Sequence, residues 1–319
     1  MRIAFFWTPQ FAADILSWLI SYPEIEVVLV VSQPDMPVWR KQELLPTPVK
    51  YIAIQKGIEV LQPKSLKRER SLEIELNSLH LDFIVVVAYG KIIPKYILDI
   101  PKYGCINLHG SILPKYRGAS PVQAALKNGE SETWLTTMYM SEWMDEGNIL
   151  KIAKFSIDII DTSAYIFQKF VTIGPNLLRT TLQDIISWNI IWIPQNENEV
   201  TYCWKISKED GQISFGKQSA KDIYNLYRAY TPWPGIFSYY EGKRFVIEWC
   251  FLDTLIFDAE DVVAGSFIYW WTWRAKQYGI VCKDWSILWI TQVKLEGKKS
   301  MDIVSFVNGN KEILNYSFL

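Results

Sequence analysis

Three polar residues of this sequence could do chemistry together: Asn107 and His109, spaced by two, and Asp145. Asn107 and His109 fall in the otherwise apolar run Cys105 to His109, where strand geometry turns alternate side chains to one face. An amide N–H there can steady a developing oxyanion, and an imidazole can donate or accept a proton near neutral pH. Asp145 follows the apolar run Trp134 to Met140, within Glu142-Trp143-Met144-Asp145-Glu146-Gly147-Asn148, and a carboxylate at that place can orient or charge the histidine. The plainer alternatives are a satisfied core histidine and a turn aspartate beside Gly147. The loop after His109 holds Gly110, Lys115, Arg117 and Gly118, and that company favours chemistry over packing.

The elements that must position these residues read as an α/β domain. Short apolar runs alternate with helical patterns, as in a doubly wound, mostly parallel sheet covered on both faces. Strands are expected at Arg2 to Phe6, Glu26 to Ser32, Asp82 to Ala88, Gly104 to His109 and Trp134 to Met140. Thr8-Pro9, Thr47-Pro48 and Ser120-Pro121 each give a helix N-cap followed by a proline at the first helical position. A long helix is expected from Asp161 to about Trp188. Asn107 and His109 then lie at the carboxyl end of a central strand, where open α/β sheets bind ligands. Gln33 to Pro46 holds three prolines and no sustained period, and loops of that length are usually functional or disordered.

From Asn189 to Val200 the periodicity stops, and Pro194 to Glu199 reads as a polar linker. Beyond it Ser219-Ala220-Lys221-Asp222 forms a capping box, and short β-rich runs are broken at Gly242, Gly265, Gly279 and Gly297. The expected organisation is a first domain over 1–188, a linker over 189–203, and a smaller, barrel-like β domain over 204–319.

Composition agrees with two domains: 319 residues are too many for one ordinary core, and half of them are apolar. Lys and Arg number 33 against 34 Asp and Glu, so any polyanion must be met by local patches. One such patch is expected between Ala88 and Gly118, where Lys91, Lys95, Lys102, Lys115 and Arg117 stand against Asp99. Four scattered cysteines and two histidines are a poor basis for a zinc cluster, so no metal is expected. No apolar run approaches the roughly 18 residues of a membrane span, and the start lacks a signal-peptide layout. A cytoplasmic protein with free thiols and no membrane partner follows.

The run Asn107 to Pro121 also carries a resemblance. It is similar, almost letter for letter, to the motif Asn-x-His-x-Ser-Leu-Leu-Pro-x-x-Arg-Gly of 10-formyltetrahydrofolate-dependent formyltransferases. Within them the methionyl-tRNA formyltransferases are resembled by Leu44 to Lys50, Lys205 to Gly211, Arg228 to Gly235 and Leu295 to Lys299, so the likeness spans nearly the whole chain. It implies a Rossmann-like formyltransferase domain followed by an OB-like tRNA-binding domain. It also implies transfer of a formyl group from 10-formyltetrahydrofolate to the α-amino group of initiator methionyl-tRNA, without a metal and by a monomer. Asn107, His109 and Asp145 would be catalytic, Ser111, Ile112, Leu113, Pro114, Val87 and Tyr89 would hold the folate, and Arg40, Lys41, Lys115 and Arg117 would meet the tRNA. The alternatives are a formyltransferase for a small amine such as an amino sugar, and a non-catalytic tRNA-binding relative whose site is blocked by tryptophan.

Tryptophan raises that second alternative. There are 15 Trp and only 16 Gly, against a usual glycine share of about 7%. Trp7, Trp39, Trp134, Trp143 and Trp204 stand where the family carries glycine, Trp285 occupies a turn position that suits glycine, and Trp233 matches a family tryptophan. UGA codons read as glycine in the source but rendered as tryptophan would give this pattern. A bulky Trp143, two residues from Asp145, would be expected to crowd the site.

Overall fold

The computed structural model describes all residues except 8–9, 39–42, 68–69, 254–261, 272–275 and 319, and only the backbone of 36–38 and 43–44. The described chain forms two compact units. The first takes Met1–Pro121, Glu132–Ser156 and Tyr165–Lys205, and the second takes Val122–Ser131, Ile157–Ala164 and Ile206–Leu319.

In chain order the elements of the first half are β1 (Arg2–Trp7), α1 (Gln10–Ser21), β2 (Glu26–Ser32), β3 (Met36–Val38), β4 (Glu43–Leu45), α2 (Pro48–Gln55) and β5 (Glu59–Leu61). They continue with α3 (Arg70–Ser78), β6 (Phe83–Val87), α4 (Lys95–Leu98), β7 (Cys105–His109), β8 (Arg117–Gly118) and α5 (Pro121–Lys127). β9 (Glu132–Tyr139), β10 (Ile149–Ser156), α6 (Ser163–Ile186) and β11 (Tyr202–Cys203) complete it. The main sheet has the order β10-β9-β7-β6-β1-β2-β5. β7, β6, β1, β2 and β5 run parallel, while β9 pairs antiparallel with both β7 and β10. Every residue of β6 and β7 is buried, which is why these strands read as unbroken apolar runs rather than alternating ones.

The strand order reverses between β1 and β6, so the ligand crevice expected of such a sheet opens at their carboxyl ends. Trp7 and Val87 are register partners there. Two strands of this sheet are not evident in the sequence. β5 is only three residues long, and β10, Ile-Leu-Lys-Ile-Ala-Lys-Phe-Ser, is an edge strand whose lysines interrupt the apolar pattern.

The second unit adds α7 (Ala220–Tyr230), β12 (Ile236–Tyr240), β13 (Lys243–Leu252), β14 (Phe267–Trp271), β15 (Lys276–Val281), β16 (Ile287–Leu295), β17 (Met301–Asp302) and α8 (Ile303–Gly309). Its antiparallel sheet runs β12-β13-β16-β15-β14, with β17 on β16. This β-rich second half is as expected. The Ser219 capping box is formed in both directions at the start of α7. Two stretches that come earlier in the sequence, Val122–Ser131 and Ile157–Ala164, also belong to this unit, and the second is tied to it by hydrogen bonds: Arg228 Nη1 donates to the carbonyls of Asp158 at 3.0 Å and Asp161 at 3.4 Å, and Ser163 Oγ donates to Thr231 O at 2.8 Å.

Two tryptophans adopt the left-handed conformation that favours glycine. Trp285 has φ +63° in the turn between β15 and β16, the position singled out in the sequence. Trp188, with φ +58°, ends α6: its N–H bonds to Ile185 O and that of Asn189 to Asp184 O. This is the paired closure in which a helix usually places glycine at the residue where Trp188 stands.

Candidate active site

β7 carries Asn107 and His109 to the crevice with both side chains buried, at 8% and 6% exposure. Val86 of β6 pairs with Asn107 on one side, and Met138 and Thr136 of β9 pair with Asn107 and His109 on the other. Asp145 comes from the turn between β9 and β10, with φ +54°. A non-glycine residue held at positive φ stores strain that its surroundings must hold in place, and such residues gather at functional sites. Tyr116, just before β8, has φ +61°, and Ala88, directly after β6, has φ +49°.

The three sequence candidates do meet. Asn107 Nδ2 donates to Asp145 Oδ1 at 3.3 Å, and His109 Nδ1 lies 3.7 Å from Asp145 Oδ2. The Gly118 amide donates to the same Oδ2 at 2.8 Å. His109 Nε2 is 3.0 Å from the carbonyl of Tyr116, and because a carbonyl only accepts, Nε2 carries the proton in that contact. Asp145 thus has a donor on each oxygen.

Glycine is required at two places around this cluster. A Cβ on Gly118, whose φ is +123°, would stand 2.1 Å from Cys203 O, and a Cβ on Gly147 would stand 1.8 Å from Tyr139 O. These close approaches let β11 lie beside β8 and let the Asp145 turn fold back onto β9.

The segment expected to be a plain linker runs along this cluster. Thr201 accepts the Tyr116 amide on its Oγ1 and the Arg117 amide on its carbonyl, both at 2.9 Å, and Cys203 O accepts from Ala119 at 3.0 Å. Gln195 Nε2 donates to the carbonyls of Asp145 and Gly147, both at 2.8 Å, while its Oε1 accepts from Arg117 Nε at 3.0 Å. Glu197 accepts from both terminal nitrogens of Arg117, at 2.7 and 3.3 Å. None of these partners stood out in the sequence. Their only signal was a polar run at Pro194 to Glu199.

Arg117 must therefore be corrected. It was expected to meet a phosphate, yet its side chain is 1% exposed and its guanidinium is engaged by Gln195 and Glu197. Burial works against its charge, and the Glu197 carboxylate and the Tyr202 hydroxyl together outweigh that, so the Arg117 pKa lies above its ordinary value. The hydrogen bond from Arg117 in turn lowers the Glu197 pKa. Lys115 is exposed, as a phosphate contact requires, whereas Arg40 and Lys41 lie outside the described residues. The base of their loop is well fixed: Lys50 Nζ donates to Asp35 Oδ2 at 2.6 Å and to Gln62 Oε1 at 2.7 Å, and Gln62 Nε2 donates to Asp35 Oδ1 at 2.7 Å.

Burial divides the residues expected to hold a folate. Ile112 and Pro114 are half-buried and can be reached. Ser111, Leu113, Val87 and Tyr89 are buried: Ser111 Oγ donates to Lys115 O at 2.7 Å, Leu113 packs with Met138 and Ile149, and Tyr89 meets Phe6 edge-on. Among the described residues no group of three or more His, Cys, Asp or Glu could hold a metal ion.

The tryptophans divide as well. Trp143 is 73% exposed, so its indole does not crowd Asp145, contrary to expectation. Trp134 lies under Lys154 at 4.5 Å, and Trp204 stacks on Tyr202. Trp7, at the end of β1, packs edge-on against Phe5 and Phe11. It is wholly buried, and its indole N–H has no hydrogen-bond partner among the described residues.

Two family models cover most of the chain: formyl transferase over residues 1–182, and formyl transferase, C-terminal domain, over residues 205–311. The chain belongs to the formyl transferase family. Its relatives include the methionyl-tRNA formyltransferase of Caldicellulosiruptor saccharolyticus, 42% identical over 98% of this chain and 97% of that protein. The protein of the same name from Thermodesulfovibrio yellowstonii is 40% identical over 97% of this chain and 96% of its own. Among solved formyl transferases, the sugar 3N-formyl transferase WlaRD superposes with a TM-score of 0.64 at 18% identity, covering 94% of this chain and 99% of its own. The methionyl-tRNA formyltransferase from Clostridium thermocellum superposes with a TM-score of 0.56 at 16% identity, over 79% of this chain and 93% of its own. At those identities the superpositions speak for the fold, which is the α/β sheet followed by the antiparallel β-rich half.

Proposed function

We propose that this formyl transferase moves a formyl group from 10-formyltetrahydrofolate to the α-amino group of methionine on initiator methionyl-tRNA. The observation that carries the reading is the meeting of Asn107, His109 and Asp145 at the end of β7, in a chain about 40% identical, over nearly its full length, to proteins named for that reaction. A folate-like donor fits the crevice through the reachable faces of Ile112 and Pro114, with buried Ser111, Leu113, Val87 and Tyr89 supporting the wall behind them.

In this reading the neutral amine attacks the formyl carbon and the formyl oxygen gains negative charge. Asn107 donates its second amide hydrogen to that oxygen, a contact whose loss typically costs about 10² to 10³ in rate. Asp145 takes a proton from the attacking nitrogen and passes it to Nδ1 of His109, whose Nε2–H is held by the Tyr116 carbonyl. The bond to the folate N10 breaks as N10 takes up the proton that the amine gave through Asp145 and His109, and formyl-methionyl-tRNA and tetrahydrofolate leave.

A catalytic region over 1–188, a connecting segment over 189–203 and a tRNA-binding region over 204–319 would divide the task between them. Lys115, Arg40 and Lys41 would meet tRNA phosphates. The enzyme would act in the cytoplasm as a monomer. Incubation with formyl folate and charged initiator tRNA tests the proposal: formyl-methionine on the tRNA is expected, and transfer only to free amino sugars would overturn it.

A further inference from the structure

The segment between the two family models, residues 183–204, contains Gln195. We infer that Gln195 is a positioning residue that fixes the Asp145 carboxylate against His109, acting as a brace between buried Arg117 and the turn that carries Asp145. The inference rests on the catalytic reading of Asp145 given above.

The hydrogen-bond chemistry leaves one orientation for the Gln195 amide. Arg117 can only donate, so the atom 3.0 Å from its Nε is the Gln195 oxygen; the carbonyls of Asp145 and Gly147 can only accept, so the atom facing them is the nitrogen. Both hydrogens of that NH2 group are used, one on each carbonyl, and together they bracket the Asp145 turn. Arg117 is itself held by Glu197, and it directly follows Tyr116, whose carbonyl accepts a hydrogen bond from His109 Nε2. One side of the brace therefore sets the imidazole and the other sets the carboxylate. Asp145 sits at positive φ and needs such outside support to keep its conformation. A displacement of about 1 Å at a reacting group can cost roughly 10² in rate.

The test uses Gln195→Met, which keeps the length of the side chain and removes its hydrogen bonds, in the full chain. The expected result is a fall in kcat of about 10²-fold with both KM values within about threefold, because the contact acts on the reacting groups rather than on binding. In an Asp145→Asn background the same substitution should add no further loss, as expected when one residue works through the other. Gln195→Glu should not rescue, since its carboxylate faces two carbonyls without a hydrogen to give. A kcat within twofold of the parent, or full additivity with Asp145→Asn, overturns the inference.

Amide hydrogen exchange at Gly118, which bonds to Asp145 Oδ2, gives a readout that does not need turnover. Faster Gly118 exchange in Gln195→Met supports the brace, and unchanged exchange refutes it. If the parent protein transfers no formyl group, the proposed function falls while the exchange result still decides the brace. Should Gln195→Met fail to fold, Glu197→Gln takes its place: the Glu197 carboxylate is 68% exposed, and the same faster Gly118 exchange is expected.

Discussion

The backbone amide of Gly118 donates to Oδ2 of Asp145 at 2.8 Å, across 27 residues of sequence. With Asn107 on Oδ1, this contact holds the carboxylate by two donors that are themselves fixed by β7 and β8. Asp145→Asn replaces an acceptor oxygen by an NH2 group and removes the proton acceptor of the proposed reaction. Formyl transfer to methionyl-tRNA is expected to fall about 10²- to 10⁴-fold, with an unchanged circular dichroism spectrum.

Gly118→Ala should act on stability. The new Cβ would meet Cys203 O at 2.1 Å, and the backbone at φ +123° already excludes ordinary side chains. A loss of roughly 2 kcal/mol or more is expected in denaturant titrations, since the clash is with main chain and cannot be relieved by a rotamer change.

Trp188 and Trp285 give a test of the codon hypothesis that needs no enzyme assay. A residue with a Cβ in the left-handed region costs roughly 1 to 2 kcal/mol, so Trp188→Gly and Trp285→Gly should each raise Tm. Trp18, in the interior of α1 and 54% exposed, is the contrast: glycine there should destabilise by about 1 kcal/mol. UGA at codons 188 and 285 of the source DNA, with UGG at 233, is the matching expectation.

Asp35 should give the fold an acid-sensitive contribution. Burial raises its pKa, but hydrogen bonds from Lys50 and Gln62, the Lys50 charge and the Thr47 amide together outweigh burial and leave it below the 3.8 of an ordinary aspartate. A depressed carboxylate stabilises the fold above its unfolded pKa and ceases to do so as pH falls through the folded one. Asp35→Asn is expected to lose about 1 to 3 kcal/mol at pH 7, with the gap to the parent closing as the pH drops below 3.8.

Lys115 is exposed and Arg117 is not, so the two should differ in tRNA binding. Lys115→Ala should weaken binding and reduce the salt slope by about one counterion. An unchanged slope would remove Lys115 from the interface.

Much of the site was legible because its carriers lie in regular elements. An apolar strand broken by Asn107 and His109, and a carboxylate just after the next strand, are patterns that period-two geometry turns into positions. Arg117 shows where legibility ends: a cation in a glycine loop suggests a phosphate, and only the fold reveals that Glu197, 80 residues on, has taken it. Gln195 left still less trace, because its donors serve main-chain carbonyls, which carry no residue-type signature. The edge strand β10 was hidden by the lysines that suit it to an edge.

The course of residues 193–203 also bears on modularity. A boundary drawn at 188 would leave the Arg117 guanidinium without Gln195 and Glu197, and the Tyr116 and Arg117 amides without Thr201. Exchange of the β-rich half between relatives should therefore join the chains after Cys203, so that each formyl-transferring half keeps the strand that closes its own loop.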